Sequence, residues 1–321
     1  MNKKRNIILI ALVFITILSI AIYVENTVGY GDSQDIGDLY NNEGRKSLSY
    51  NGKTYLLNDN IETYLILGID HFNDSDGDIE SQQADFLFLV AVDNDAKSYT
   101  GLMINRDTMT DIKTYGAFNK YTGVENKQVA LSHAYGSDER ERCKNTRWAI
   151  ENLLFDISID KYISLTMDAV PVINSHVGGV TVTINDDFSN IDQTLINGKT
   201  IKLNDSQALN YVRSREGMSE PTNLNRMERQ KSYTESLISQ LTQEKQSKVF
   251  YQNMLTSLKD YMVTNCNSVE LADLCTVVSD YEYQGITNLN GENKEENNHM
   301  AYYVNDNDLK ELIIDLFYEK E

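Results

Sequence analysis

Three short apolar runs, at residues 64–69, 86–92 and 99–104, constrain the fold of this chain more than any other feature. They are rich in Ile, Val, Leu and aromatics and bounded by Asp, Asn and Gly, which favours buried strands over helices. Asp93-Asn94-Asp95-Ala96-Lys97 predicts a hairpin between the last two. If the middle strand runs antiparallel to both neighbours, the end of the first, the start of the second and the end of the third share one sheet edge. Asp70, Asp85, Arg106 and Asp107 then meet there, just outside the apolar runs, where ligand-binding residues of α/β sheets collect. Charged residues flank buried strands in many proteins, so this placement alone leaves the bland reading open.

A second feature works against the overall charge. The 321-residue chain carries a net charge of -19, which does not invite polyanions, and nucleic acid is not an expected partner. Yet Arg213, Arg215, Arg226, Arg229 and Gln230 crowd one stretch, with Arg106 far upstream, and a phosphate explains such a cluster. Asn225 followed by Glu228 reads as a capping box, placing Arg226 and Arg229 in the first turn of a helix. Cations there oppose the helix dipole at a cost of roughly 0.3–1 kcal/mol, while the free N–H groups of the same turn suit a phosphate oxygen. Arg226, Arg229, Gln230 and Tyr233 share one helical face. A solvated face paired with surface carboxylates is the alternative. If the cluster grips an anion, Arg226→Ala and Arg229→Ala weaken pyrophosphate binding and leave the fold intact.

Lys3-Lys4-Arg5 precedes an uncharged apolar run over residues 7–24, long enough to span roughly 27 Å as a helix. The expected layout is a cytoplasmic tail at 1–6, one transmembrane helix at 7–24, an extracellular stalk rich in Gly, Asn, Asp and Ser at 25–59, a main domain at 60–245 and a helical extension at 246–321. This puts the chain in the cell membrane as a single-pass protein with its main domain outside; a cleaved signal peptide is the competing reading. Within the extension, helices are expected near 254–262, 269–279 and 306–318, with an exposed polar loop at 290–298. Three cysteines, Cys143, Cys266 and Cys275, do not make a disulfide framework, so buried thiols are expected and a Cys266–Cys275 pair stays open. The four histidines lack zinc-ligand spacing.

Read in order, Leu67-Gly68-Ile69-Asp70, Ala84-Asp85, Arg106-Asp107, Val177-Gly178-Gly179-Val180, Ala208-Leu209-Asn210-Tyr211-Val212-Arg213-Ser214-Arg215 and Arg226-x-x-Arg229-Gln230 resemble the LytR-CpsA-Psr family of cell-envelope proteins over roughly residues 60–245. The resemblance implies an α/β fold, an α/β/α sandwich around a mixed central sheet, with a basic cleft for polyprenyl pyrophosphate beside a channel for its lipid tail. It implies a phosphotransferase that moves a polyprenyl-pyrophosphate-linked glycopolymer, such as teichoic acid or capsular polysaccharide, onto peptidoglycan and releases polyprenyl phosphate. By the same resemblance Asp70 and Asp85 hold Mg2+. Arg106, Arg213, Arg215, Arg226, Arg229 and Gln230 grip the pyrophosphate, and Asp107 orients Arg106 or assists proton removal. The residue types suit this chemistry, because Mg2+ needs only one or two carboxylates besides phosphate and water, and arginine's planar fork matches phosphate oxygens.

The chain departs from the family pattern at Gln83, where an Arg is usual, at Asn105, where a Pro is usual, and at Gln128, where a Lys is usual, with Lys127 adjacent and Lys120 farther back. Arg140, Arg142 and Arg147 either compensate for the lost charge or form a solvated helix face. Two other functions remain compatible: a polyprenyl-pyrophosphate hydrolase, and a regulatory envelope protein that binds lipid phosphate without turnover.

Overall fold

Six strands form the central sheet: β1 (Ile61–Ile69), β2 (Ala84–Asp93), β3 (Ser98–Ile104), β4 (Lys161–Thr166), β5 (Met262–Thr264) and β6 (Glu282–Asn288), in the order β5-β4-β1-β2-β3-β6. β2 runs antiparallel to β1 and β3, as the sequence predicts, whereas β1–β4 and β3–β6 are parallel. The sheet is therefore mixed. The coordinates are a computed structural model that describes residues 39–40, 46–72, 82–215, 218, 222–296 and 299–320. The expected tail at 1–6 and transmembrane helix at 7–24 lie outside these residues; among the described residues no helix is long and apolar enough to cross a membrane.

Strand alternation sends side chains to two faces. Leu65, Leu67, Ile69, Leu87 and Leu89 are almost fully buried on one, the face on which helix α1 (Glu139–Leu153) packs beside β4 and β5. On the other, Phe88, Met103 and Ile286 pack with Met227 of a long helix, and Tyr64, Val92 and Tyr99 pack with Ile238, Leu274 and Val278. Helices on both faces give the three layers expected. The covering helices on this second side are α2 (Ala169–His176), α3 (Asp205–Arg213), α4 (Asn223–Glu244), α5 (Lys248–Leu258) and α6 (Ser268–Val278), with α7 (Asp306–Phe317) after them.

Two expectations change. Residues 246–321 are not a helical extension, because this segment supplies both edge strands of the sheet, β5 and β6. An edge strand needs little apolar sequence, so Met262-Val263-Thr264 and Glu282-Tyr283-Gln284-Gly285-Ile286 gave no strong strand signal. Within the polar stretch 290–298, Gly291–Glu296 is not loop either: it pairs antiparallel with His299–Val304. Gly291–Glu296 is exposed on both faces, which removes the apolar alternation that betrays a strand. A further hairpin, Met109–Gly116 with Lys120–Gln128, follows Asp107 directly.

Among the described residues, those from 39 to 57 together with Lys320 form a compact unit of their own. Within the stretch read as a stalk, Lys46–Tyr50 and Lys53–Leu57 pair antiparallel across Asn51-Gly52, which both take positive φ, 51° and 72°, as a two-residue hairpin turn requires. Cys143, Cys266 and Cys275 are free thiols.

Candidate active site

The site begins at a defect in the sheet. Between Gly68 and Ile69 the register of β1 against β2 shifts, pairing Gly68 with Phe86 and Ile69 with Ala84 and leaving Asp85 as the extra residue. A bulge re-aims its side chain out of the strand alternation, and the Asp85 carboxylate meets two guanidinium groups there. Arg106, just past the end of β3, donates from one terminal nitrogen to Asp85 Oδ1 and from the other to Gln83 Oε1. Arg226 of α4 donates to Asp85 Oδ2 at 3.0 Å and to Asn223 Oδ1 at 2.9 Å. Gln83, the departure that removes a charge, thus acts as an acceptor for Arg106.

α4 starts earlier than the capping-box reading places it. Its N-cap is Thr222, whose hydroxyl accepts from Asn225 N–H at 3.2 Å, so Arg226 opens the second turn and its own N–H is bonded to Thr222 O. The free first-turn amides therefore belong to Asn223 and Leu224, and the two arginines act through their side chains alone. The face itself is as expected: Arg226, Arg229, Gln230 and Tyr233 are all buried. Burial corrects the solvated alternative for α4; on α1 it holds for exposed Arg140, which reaches Thr264 O, whereas Arg142 is largely buried against Glu139 and Arg147 is half-buried beside Glu151.

Arg229 is committed elsewhere. Its Nε donates to Tyr211 O at 2.9 Å and its terminal nitrogens to Asp186 and to Ser214 O, with the group 5.5 Å over the Phe188 ring. It braces the end of α3, which carries Arg213. Arg213, in the last turn of α3 where a cation complements the dipole, lies 3.4 Å from Asp70 Oδ1. Arg215 is exposed, and close enough to Arg226 for its like charge to count among the influences that lower the Arg226 pKa, after burial. Asp186 and Asn223 escaped sequence reasoning, although Asp186-Asp187 just after a β-branched run is the same strand-end signal that picked out Asp70.

Asp107 completes the cluster. Its carboxylate is 3.7 Å from Arg106 Nε and accepts from Gln128 Nε2 at 3.0 Å. Burial pushes its pKa up, opposed by the charges of Arg106 and Arg226 and by the Asn223 amide. Asn105 joins the two halves of the site: its Oδ1 accepts from Asp107 N–H at 3.0 Å and from Asn223 Nδ2 at 2.7 Å. Three buried donors in this group, Asn105 Nδ2, Arg106 Nε and Arg226 Nε, have no hydrogen-bond acceptor among the described residues. Five guanidinium groups face four carboxylates, Asp70, Asp85, Asp107 and Asp186. Unmet donors and surplus positive charge give this cluster the chemistry to take an anion.

Beside it, between the sheet and α4, lies an apolar cavity of about 380 Å³, lined by Ile66, Phe88, Val170, Leu237, Ile238 and Tyr251 among others. Gly68 and Gln230 also line it, which carries the cavity to the charged cluster. Two glycines make room for its aromatic wall: a Cβ on Gly68 would sit 2.8 Å from Phe86 Cβ, and one on Gly101 2.4 Å from the Phe88 ring. Gln230 donates to Val212 O at 3.3 Å.

The donor set can be tested against Mg2+. Asp70 follows Ile69 and Asp85 follows its partner Ala84, so both carboxylates sit at one sheet edge, partly exposed. No group of three or more potential metal ligands occurs among the described residues. Two oxygen ligands do not cage an ion, but they suit one that takes its remaining ligands from phosphate and water.

A mixed-sheet α/β/α domain thus carries a cluster of arginines and aspartates beside an apolar cavity. The model of the LytR_cpsA_psr family matches residues 26–316, and the chain belongs to the LytR-CpsA-Psr family. The polyisoprenyl-teichoic acid–peptidoglycan teichoic acid transferase TagU of Enterococcus faecalis is 29% identical over 283 residues, covering 88% of this chain and 85% of that protein. The crystal structure of Bacillus subtilis TagV superposes with a TM-score of 0.63 at 21% identity, over 81% of this chain and 97% of that one. TagT bound to LI-WTA gives 0.61 at 20% identity, over 80% and 90%. Both likenesses are of fold.

Proposed function

We propose that the chain is a membrane-anchored phosphotransferase that moves a glycopolymer from polyprenyl pyrophosphate onto peptidoglycan and releases polyprenyl phosphate. The observation that carries this reading is Asp85 held between Arg106 and Arg226 at the edge of an apolar cavity. An anionic head and a greasy tail need these two environments side by side. The transferase activity for which the E. faecalis relative is named supports the same class, and the run at 7–24 supplies the anchor.

In the proposed reaction the lipid fills the cavity and its pyrophosphate lies over the cluster. Arg106 and Arg226 turn from Asp85 to phosphate oxygens, satisfying their unmet Nε donors, and the more exposed Arg213 and Arg215 close on the outer phosphate. Arg229 holds the Tyr211–Ser214 backbone that presents them. Asp70 and Asp85, once freed of the arginines, would hold Mg2+, which would supply neutralisation of phosphate charge and a more electrophilic phosphorus. A peptidoglycan hydroxyl oxygen then attacks the phosphorus that carries the glycan. The bond to the bridging oxygen breaks, polyprenyl phosphate departs with that electron pair, and the hydroxyl proton passes to the Asp107 carboxylate. Burial raises the proton affinity of Asp107, as a general base near neutral pH requires. Little covalent work is asked of the protein; positioning and charge stabilisation do most of it.

The test is to incubate the full-length chain in detergent with a lipid-linked oligosaccharide, peptidoglycan strands and Mg2+. Glycan linked to peptidoglycan is the expected product. Free phosphorylated glycan would make the chain a hydrolase, and intact bound donor would make it a binding or regulatory protein.

A further inference from the structure

The hairpin Gly291–Glu296 with His299–Val304 has no part in the reaction above, yet it is bonded to the catalytic segment. Tyr302 N–H donates to Asp107 O at 2.8 Å, and Thr108 forms a parallel bridge with Tyr302. The Tyr302 hydroxyl, itself buried, donates to Leu289 O at 2.7 Å and so ties this strand to the end of β6. From the opposite side, Ala130 N–H donates to Arg106 O at 3.1 Å and Val129 N–H to Thr108 O at 2.7 Å. Residues 106–108 are held between two backbones.

One side chain bridges the two holders. Gln128 Nε2, with two N–H donors, lies 3.0 Å from Asp107 Oδ1 and 2.5 Å from Met300 O. Arg106 Nε, at 3.7 Å, is beyond hydrogen-bond reach of the same oxygen. A buried carboxylate without fixed donors would swing toward the nearest charge, here the arginine that the phosphate needs. Donors on the Gln128 side chain hold it in place and leave Arg106 free for phosphate.

We propose that Gln128 is a positioning residue of the transfer reaction: its amide latches the C-terminal hairpin onto the site and fixes the Asp107 carboxylate beside Arg106. This rests on the function proposed above. The latch itself does not.

The test compares wild type with Gln128→Leu, which removes both donors at similar bulk, and Gln128→Lys, whose ammonium reaches both acceptors. Full-length protein in detergent is assayed with a farnesyl-pyrophosphoryl disaccharide, peptidoglycan strands and Mg2+, and separately by hydrogen exchange without substrate. In Gln128→Leu, kcat should fall at least about tenfold with donor KM changed less than about twofold. The Met300–Tyr302 amides should exchange at least about tenfold faster, and Gln128→Lys should restore both. An unchanged kcat, or a loss wholly in KM, overturns the positioning role; unchanged exchange overturns the latch. If Gln128→Leu does not fold, Gln128→Asn, too short to span both acceptors, decides the same two readouts. A wild type without transfer activity sinks the proposed function, and exchange still decides the latch.

Discussion

Asp85 and Arg226 stand 141 residues apart in the chain and 3.0 Å apart in the fold, while Arg106 takes the other oxygen of the same carboxylate. One acid balances a buried cation, Arg226, and a half-buried one, Arg106, so the cluster is assembled and stabilised by the same groups proposed above to bind substrate.

For Arg226 this revises the expectation of a silent alanine variant. Arg226 is 4% exposed, and its removal leaves Asp85 and Asn223 each short of a donor. Breaking a buried pair costs about 3–5 kcal/mol; because Asp85 keeps Arg106, Arg226→Ala should cost about 2–3 kcal/mol in urea unfolding. In an Asp85→Asn background the same change should cost less than half as much, and full additivity would show that the pair does not couple.

Arg229→Ala should act through α3. Losing bonds to Tyr211 O, Ser214 O and Asp186 frees the segment that carries Arg213 and Arg215. The expected cost is about 3 kcal/mol, with faster proteolysis after residue 213. Arg229→Lys should rescue little, since one ammonium cannot serve three partners spread around a planar fork. A lysine variant with wild-type stability and proteolysis would show that charge alone suffices.

The parts legible in the sequence were those set by local pattern. The apolar runs gave β1, β2 and β3 and their shared edge, and helical spacing put Arg226, Arg229, Gln230 and Tyr233 on one buried face. The parts missed depend on pairings no local pattern records. Thr222 displaces Asn225 as cap because its hydroxyl reaches the Asn225 amide. β5 and β6 are strands only because β4 and β3 stand beside them. The bulge that turns Asp85 outward appears only when two strands are laid in register, and Asp186 gains meaning only when Arg229 reaches it.

If the proposed lipid tail fills the apolar cavity, the cavity's size sets how much of it is held. An apolar cavity of about 150 Å³ accepts one benzene, so about 380 Å³ takes roughly 15 carbons, three isoprene units. Farnesyl pyrophosphate should therefore bind within about threefold of longer chains by calorimetry. Geranyl pyrophosphate, five carbons shorter, should bind about 2–4 kcal/mol more weakly. Leu237→Trp, filling the cavity from α4, should abolish this dependence and leave inorganic pyrophosphate binding unchanged. Chain-length dependence that survives the filling would place the tail elsewhere.

His133 makes stability fall in acid. It is fully buried, with Nδ1 2.9 Å from Gln82 O and Nε2 3.8 Å from Cys143 Sγ, and burial lowers its pKa from 6.5 to about 4. The folded state therefore holds a neutral ring at pH values where the unfolded chain binds a proton. Stability should drop as pH falls from about 6.5 to about 4, by about 3 kcal/mol in total from this group. His133→Gln should remove that part of the slope in urea unfolding between pH 7 and pH 4. A variant with the wild-type slope would assign the acid sensitivity to carboxylates.

Asp85→Asn separates the metal role from the arginine role by the sign of its effect. Without Mg2+, Asp85 competes with phosphate for Arg106 and Arg226, so neutralising it should tighten binding of a short polyprenyl pyrophosphate by about 3- to 10-fold. With Mg2+, the wild type should gain affinity because a carboxylate and the pyrophosphate share the cation. The variant, left with Asp70 alone, should gain little. Calorimetric titrations with and without Mg2+ read both effects. Weaker metal-free binding in Asp85→Asn would mean that the carboxylate orients the two arginines for phosphate rather than competing for them, and an undiminished Mg2+ effect would remove Asp85 from the metal site.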